Sequence, residues 1–477
     1  PPRQQVNRWS RRPASRRDPK VQLLMSMGVK KRAMGMVMVT SNSAPVNKTS
    51  VFDGIELHPT PPPFNISGAK CNLIGVDTAG REIRIPLSDD TLSKHILFLG
   101  GIGMGKTNAI FQIISQLREK MSPNDVMLIF DTKGDFYNSF YRSGDIVISN
   151  DEKATGPAGP DYWNIFNEIE QDASMEENII EMARSLFYEK SQRSSQPFFP
   201  NAARDLLTGI LLHYCRSVGC EERNNQILRD FLDRSPSAEI RGMLQKYDDL
   251  KAMVSYIADD RSPQTQGVIS ELQQLIREIF VGNFRKEGSL SMRNAVRNKG
   301  GRIIFVEYDL GIGGTLTPIY RLLLDMAIKE ALSRKKSEGN VWFVIDEFRL
   351  IPNLQHIDDG VNFGRSLGAK FIIGVQNIEQ VFNSYGESQA RSILSGFLTT
   401  VAFRVNDSAT RIYIQQLFGR NRKKEVYMAS VQSRGIVEQV RDANVVEDWE
   451  ISNLKIGEAI IGIPGFEPFK FQFDKFG

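Results

Sequence analysis

Cysteine and histidine are scarce in this chain, which has three cysteines and four histidines among 477 residues. Disulfide-framed domains need several cysteine pairs, and structural zinc sites need cysteine and histidine clustered at short spacing. The scarcity argues against both kinds of site. Cys215 and Cys220 lie in an apolar helical stretch and are expected to pack in a core, as free cysteines commonly do. The cell interior is therefore the expected compartment.

Long apolar runs are also missing. A membrane-spanning helix needs about 20 consecutive apolar residues, and the nearest stretch, residues 21–39, is interrupted by Lys30, Lys31 and Arg32. Three central charges are too costly in hydrocarbon, although the stretch could lie on a membrane surface. Because the sequence begins with Pro1, a preceding segment is not excluded. We expect membrane association, at the cytosolic face, to arise through such a segment or through a partner.

A strong net charge is absent overall, since the chain carries +4, but the charge is unevenly placed. Residues 1–50 contain eleven Lys or Arg and one Asp. Such a basic arm suits nucleic acid, anionic lipid or an acidic partner face, and it also suits a solvated tail. These readings stay open from the residues alone.

The chain divides into four predicted parts. Residues 1–66 form a basic arm that ends in a Pro-rich linker, PTPPPF. Residues 67–170 hold a strand pair and then a buried strand, a Gly-rich loop and a helix, whereas 171–297 show helical periodicity and read as an inserted all-helical domain. Strands return in 298–477. Apolar strands that alternate with helices predict an α/β fold with a mostly parallel sheet covered on both faces.

A phosphate-binding loop is predicted at residues 100–107, GGIGMGKT. It follows a buried strand, HILFLG, and opens a helix, which is the context that the G-x-x-x-x-G-K-[ST] motif requires. The glycines allow backbone amides to point at phosphates, Lys106 adds a positive charge, and the Thr107 hydroxyl can ligate Mg²⁺ at the helix N-terminus. The residues expected to contact ATP are Gly101, Ile102, Gly103, Met104, Gly105, Lys106, Thr107 and Asn108.

A pair of carboxylates follows another apolar strand, in VWFVIDEF. Asp346 is expected to hold Mg²⁺, and Glu347 to orient and deprotonate the attacking water. Gln376 ends the strand KFIIGV, where an amide could sense the γ-phosphate. Arg365, before that strand, could supply charge to the ATP of a neighbouring subunit, and it also fits a solvated helix arginine.

The whole arrangement resembles the TraD/TraG-like coupling ATPases of type IV secretion and conjugation, in the FtsK/HerA branch of RecA-like motors. The resemblance rests on the glycine loop, DTKGDF at 131–136, YWNIF, FFPNAARDLL, DEF, GVQNIEQVFNSYG and LKIGEAIIGIPGFEPFKF. It covers roughly residues 67–477. The sequence differs from the family pattern in two places. No membrane-spanning helix is apparent, and Lys94 stands where some members carry a second arginine.

The resemblance implies a RecA-like P-loop NTPase that assembles as a homo-hexamer, with ATP and Mg²⁺ between subunits and DNA in a central pore. It also implies relaxase or secretion-channel partners. It carries ATP hydrolysis over to Lys106, Asp346, Glu347, Gln376 and Arg365, and it places Asp131 and Lys133 near the phosphates. The alternatives are a HerA/FtsK-like DNA translocase in repair or anti-phage defence, and a nucleotide-gated docking protein that translocates nothing.

Overall fold

The computed structural model describes residues 48–65, 67–77, 79–150, 162–333, 338–428 and 436–476. The predicted basic arm up to residue 47 lies outside the described residues, as does the apolar stretch 21–39. The residues of the predicted site lie in the compact unit formed by Thr49–Glu425 with Glu438–Gly477. The division at residues 66, 170 and 297 stays a prediction.

The strands have the following bounds in chain order. They are β1 Lys48–Asp53, β2 Cys71–Val76, β3 Glu82–Leu87, β4 Ile96–Leu99, β5 Val126–Asp131, β6 Ile146–Ile148, β7 Arg302–Glu307, β8 Val341–Ile345, β9 Ala369–Val375, β10 Thr399–Phe403, β11 Arg420–Met428, β12 Ile436–Asn444, β13 Glu458–Gly462 and β14 Phe469–Phe473. The predicted strands at 95–100, 126–130, 302–308, 341–345, 370–375, 399–405 and 457–463 are thereby confirmed, with ends that differ by one or two residues.

The helices follow the same order. They are α1 Asp89–Ser93, α2 Lys106–Lys120, α3 Asp135–Phe140, α4 Met175–Arg193, α5 Phe198–Ser217, α6 Asn225–Arg234, α7 Ser237–Leu244, α8 Lys251–Val254, α9 Pro263–Ile279, α10 Met292–Asn298, α11 Gly313–Ala331, α12 Ile357–Phe363, α13 Ile378–Tyr385, α14 Glu387–Ser395, α15 Ser408–Phe418 and α16 Asp448–Ser452. Helices α4 to α10 lie between β6 and β7, in the segment that shows helical periodicity. In the part of the chain that the structure describes, no helix combines the length and apolar composition that crossing a bilayer requires.

The main sheet has the strand order β3-β2-β14-β13-β10-β4-β9-β8-β5-β7-β6. From β10 to β6 every neighbouring pair is parallel, whereas β13, β14, β2 and β3 extend the sheet with antiparallel pairs. The predicted mostly parallel sheet is confirmed. A second sheet has the order β1-β11-β12.

The central strands are buried on both faces. In β4, Leu97 and Leu99 belong to one apolar core, and Ile96 and Phe98 belong to the other. Successive side chains of a strand point to opposite faces, so a strand covered by helices on both sides must be apolar throughout. The first core continues into α4 and α5 through residues such as Leu206. The helical segment is therefore packed directly against one face of the sheet.

This topology determines which loops meet. Strands β4, β9 and β8 are adjacent and parallel, so their carboxyl ends lie at the same edge of the sheet. The segments that leave those ends are the glycine loop, Gln376 and the Asp346–Glu347 pair. Ligands in open α/β sheets bind outside the carboxyl ends of the strands. The fold therefore assembles the predicted residues from three distant parts of the sequence.

Candidate nucleotide site

The glycine loop joins β4 directly to α2, and its glycines are required by the backbone or by packing. Gly103 and Gly105 have φ angles of 72° and 117°, in the left-handed region that side chains disfavour. At Gly100, an added Cβ would lie 2.8 Å from the Cβ of Phe403 on β10. The loop is thus shaped by its own dihedral angles and by the neighbouring strand. Ile102, at its tip, is 77% exposed.

Lys106 lies at the first position of α2 with its side chain buried inside the loop. Its ammonium donates hydrogen bonds to the carbonyl oxygens of Gly100, at 2.6 Å, and of Gly101, at 3.2 Å. Burial lowers the pKa of Lys106, and the nearby carboxylates of Asp346 and Glu347 partly oppose that effect. The ammonium therefore lies where the loop and the acidic pair converge.

Thr107 and Asp346 are in direct contact although 239 residues separate them. The Thr107 hydroxyl donates to Oδ2 of Asp346 at 2.6 Å, while Oδ1 of Asp346 is buried and accepts no hydrogen bond from any residue that the structure describes. Burial raises the pKa of the Asp346 carboxyl. An added Cβ at Gly374, on β9, would lie 2.2 Å from the Asp346 carbonyl oxygen. A hydroxyl beside a carboxylate with an unpaired oxygen is a donor set that fits Mg²⁺.

Glu347 and Gln376 also meet at this edge. The amide nitrogen Nε2 of Gln376 donates to Oε1 of Glu347, and Nε of Arg349 lies 3.6 Å from the other carboxylate oxygen. The predicted general base is therefore held by the predicted sensor. Because of this hydrogen bond, a movement of either side chain would also displace the other.

Asp131 and Lys133 have different environments in the DTKGDF turn. The Asp131 carboxylate is buried and accepts hydrogen bonds from the backbone amides of Lys133, Gly134 and Tyr137 at 3.2, 2.9 and 2.9 Å. Burial raises the pKa of Asp131. The exposed Lys133 is close enough for its charge to lower the pKa values of Lys106 and Asp346. The Asp131 carboxylate thus fixes the backbone of the turn, and the Lys133 charge lies near the Lys106 and Asp346 side chains.

Asn108 differs from the other loop residues because its side chain faces a distant segment. Its Nδ2 donates to the Asp474 carbonyl oxygen at 2.8 Å, and its Oδ1 accepts from the Phe476 amide at 2.8 Å. Nearby, the Met104 carbonyl oxygen accepts from the Gly457 amide at 2.9 Å. Sequence reasoning missed these partners, Gly457, Asp474 and Phe476, which flank the last two strands. The one available signal was the spacing of the polar residues Asn108, Gln112 and Gln116 along α2.

Arg365 lies at the opposite edge of the sheet from the loop. It precedes β9 in a short 3₁₀ turn, whereas Gln376 follows β9. Seven strand residues span about 23 Å at about 3.3 Å each, so Arg365 cannot reach the loop of its own chain. Its guanidinium pairs with Asp90 at 2.6 Å and is half-exposed. Lys94 pairs with the other oxygen of Asp90, also at 2.6 Å.

A cavity of about 710 Å³ opens beside Arg365 and is lined by Asp89, Asp90, Phe363 and Lys370 among others. Phe363 is 67% exposed. Of the five predicted catalytic residues, the structure brings together Lys106, Asp346, Glu347 and Gln376, and it places Arg365 at the opposite edge of the sheet.

A family model described as the type IV secretion-system coupling protein DNA-binding domain matches residues 82–469. The chain belongs to this family. Among coupling proteins, TraD of Escherichia coli K12 is 22% identical over 384 residues, which cover 77% of this chain and 49% of TraD. VirD4 of Bartonella henselae is 26% identical over 231 residues, which cover 46% of this chain and 36% of VirD4. The chain thus spans about half the length, or less, of these curated relatives.

Solved structures of the plasmid coupling protein TrwB have the same fold. The complex with the ATP analogue ADPNP superposes with a TM-score of 0.67 at 19% identity, covering 91% of this chain and 96% of that chain. The complex with ADP and Mg²⁺ has a TM-score of 0.65 at 19% identity, covering 84% and 90%. The predicted RecA-like P-loop NTPase fold with a helical domain is confirmed.

Proposed function

We propose that the chain is the ATP-hydrolysing motor of a conjugative coupling protein, which moves DNA toward a type IV secretion channel. The observation that carries the proposal is the 2.6 Å bond between Thr107 and Asp346, formed beside Lys106 and Glu347 within the matched family region. Family membership supports the coupling role. TrwB, which has the same fold, has been solved with nucleotides, and this supports the choice of ATP and Mg²⁺.

Different residues of the site are assigned phosphate binding, Mg²⁺ binding and proton transfer. The loop amides from Gly101 to Thr107 and the Lys106 ammonium would bind the phosphates, because a helix N-terminus after a glycine loop is an anion site. Thr107 and Asp346 would hold Mg²⁺, which supplies charge neutralisation at the phosphates. Glu347 accepts the proton of the attacking water. The hydrogen bond from Gln376 keeps the Glu347 carboxylate oriented for that step.

Arg365 would act on the nucleotide of a neighbouring subunit. Its position across the sheet from its own loop supports an interface in which one edge of each subunit meets the opposite edge of the next. Such a heterologous contact repeats around a closed ring, and we propose a homo-hexamer with DNA in its central pore. Asp90 would release the guanidinium when the neighbouring nucleotide competes for it.

The partners follow from this role. DNA, a relaxase bound to that DNA and proteins of the secretion channel are the proposed partners, and the cytosolic face of the membrane is the proposed place of action. Association with the membrane would come from a further segment or from a partner. The basic arm, with eleven Lys or Arg in the first 50 residues, is proposed to add to DNA affinity through phosphate contacts.

The test is the rate of ATP hydrolysis without DNA, with single-stranded DNA and with double-stranded DNA. We expect wild-type protein to hydrolyse ATP and at least one form of DNA to accelerate turnover, while Lys106→Ala abolishes the rate in all three conditions. A wild-type rate that neither DNA changes would contradict the motor and favour the docking alternative. A rate that survives Lys106→Ala would reject the assigned site.

A further inference from the structure

Three side-chain amides form a row on the helix that follows the glycine loop. Asn108, Gln112 and Gln116 are spaced four residues apart on α2 and therefore share one face of the helix. Gln112 accepts from the Ile74 amide at 2.9 Å and donates to the Ile74 carbonyl at 3.0 Å. Gln116 does the same with Asn72, at 2.9 and 2.7 Å. Gln112 and Gln116 thus bind backbone groups of β2 as an adjacent strand would.

The first two amides also hold residues 474–476, which we call the strap. Strand β14 pairs with β2 at Gln472 and Phe473, and the Asp474 amide still donates to Ile74 at 3.1 Å. Beyond that point, the strap forms its hydrogen bonds with side chains of α2. The Asp474 carbonyl accepts from Asn108 at 2.8 Å and from Gln112 at 2.9 Å, and the Phe476 amide donates to Asn108 at 2.8 Å.

Aromatic packing reinforces the strap. The ring of Phe476 lies with its centroid 5.5 Å from that of Phe111 on α2 and 6.0 Å from that of Phe140 on α3. Both partners belong to the helices that follow the glycine loop and the DTKGDF turn. The strap is therefore packed against both of these helices.

The same end of the sheet contacts the glycine loop itself. The Gly457 amide donates to the Met104 carbonyl at 2.9 Å, and the Gly457 carbonyl accepts from the Phe473 amide at 2.8 Å. An added Cβ at Gly105 would lie 3.2 Å from the Gly457 Cα. The loop and the first turn of α2 are thus both supported by the segments that flank β13 and β14.

We propose that Asn108 and Gln112, with the strap, are positioning residues for the phosphate loop. They fix the N-terminus of α2, on which Lys106 and Thr107 are carried, and so set the affinity for nucleotide. The inference rests on the proposed ATP binding. It also assigns Asn108 a role different from the direct nucleotide contact that its place in the motif predicts.

Gln116 supplies a matched control. It makes the same kind of backbone bonds as Gln112, but it lies about 15 Å from Lys106 at about 1.5 Å per helical residue. Loss of its amide should reduce stability without moving the loop. A purely structural row would give all three amides the same effect on nucleotide binding.

The test measures the dissociation constant of a fluorescent ATP analogue for wild type, Asn108→Ala, Gln112→Ala, Gln116→Ala and Phe476→Ala, with thermal unfolding measured in parallel. We expect Asn108→Ala, which loses two hydrogen bonds, to weaken binding about tenfold. Gln112→Ala and Phe476→Ala should weaken binding severalfold, and Gln116→Ala should leave it unchanged. In steady-state hydrolysis, KM should rise in the first two variants while kcat is retained.

Phe476→Ala removes strap packing without substituting any residue of α2, so it tests the strap even where a change on α2 impairs folding. Equal affinity in Asn108→Ala, Phe476→Ala and wild type would overturn the inference, and so would an equal loss in Asn108→Ala and Gln116→Ala. A wild-type protein that does not bind the analogue would reject the proposed function itself. That result is distinct, because it concerns the unmodified chain.

Discussion

The carboxylate of Asp346 leads to a prediction with opposite signs in two assays. Among the described parts of the chain its buried Oδ1 atom has no hydrogen-bond partner, and burial raises the pKa of the group. A group whose pKa is raised in the folded state binds more protons than in the unfolded state, so its ionisation costs stability as the pH rises above its unfolded pKa. At neutral pH that cost is present, and Asp346→Asn should remove part of it.

The expected gain can be bounded from the geometry. A buried polar group without a partner costs about 1–3 kcal/mol. The Thr107 hydroxyl can still donate to the oxygen of an asparagine. The new amide nitrogen is as unpaired as Oδ1 but carries no charge, so the substitution removes only the cost of burying the ionised carboxylate. We therefore expect the free energy of unfolding to rise by about 1 kcal/mol, at the low end of that range.

With Mg²⁺ and ATP present, the sign should reverse. A ligand at about 100 times its dissociation constant stabilises the folded protein by about 2.7 kcal/mol. Asp346→Asn removes a proposed Mg²⁺ ligand, so the magnesium-dependent part of this stabilisation should be lost. Urea unfolding with EDTA, and again with Mg²⁺ and ATP, measures both effects.

Asp135→Asn is the control, because it changes an exposed aspartate at the start of α3. Such surface changes shift stability by less than about 0.5 kcal/mol. If Asp346→Asn is less stable than wild type under both conditions, Asp346 is a structural partner of Thr107 and the reasoning about a site kept for magnesium is refuted.

Three further predictions concern separate parts of the fold. Glu347→Gln should bind ATP but turn over at least about a hundredfold more slowly, and normal turnover would reject the general base. Gly374→Ala should lower the free energy of unfolding in urea by about 1–3 kcal/mol, because the added Cβ would lie 2.2 Å from the Asp346 carbonyl oxygen. Unchanged stability would show that β9 can shift. Burial raises the pKa of Asp325 to about 7, so the contribution of this group to the free energy of unfolding should fall from about pH 4 to 7. Asp325→Asn should therefore gain stability relative to wild type as the pH rises through this range, and a difference between the two proteins that does not change with pH would contradict the prediction.

The residues that converge at the carboxyl edge of the sheet could be predicted from the sequence. Lys106, Asp346 and Gln376 each follow an apolar run, and parallel strands bring their carboxyl ends to one edge whatever the loops between them do. The order β4-β9-β8 then makes them neighbours. Local patterns were sufficient here because the geometry depends on strand direction rather than on particular side-chain contacts.

Contacts made by single polar side chains across the fold could not be predicted. Asn108 reads as a loop residue in the motif, but its partners are 366 and 368 residues away. Asp131 reads as a ligand-binding residue, whereas its carboxylate is taken by three backbone amides. The pairing of Arg365 with Asp90 depends on how two short helices meet at the far edge of the sheet. No periodicity encodes such pairs.

The central claim is that a complete site is shared between subunits, with the loop from one and Arg365 from the next. Lys106→Ala and Arg365→Ala proteins should each be inactive alone. When they are mixed one to one before assembly, an Arg365→Ala subunit with an intact loop can lie beside a Lys106→Ala subunit with an intact arginine. Random heterologous assembly then restores about a quarter of the sites.

The deciding measurement is therefore the ATP hydrolysis rate of that mixture in the presence of DNA. We predict activity well above either variant alone, up to about a quarter of the wild-type rate. A mixture as inactive as its components, or an Arg365→Ala protein as active as wild type, would contradict the shared site.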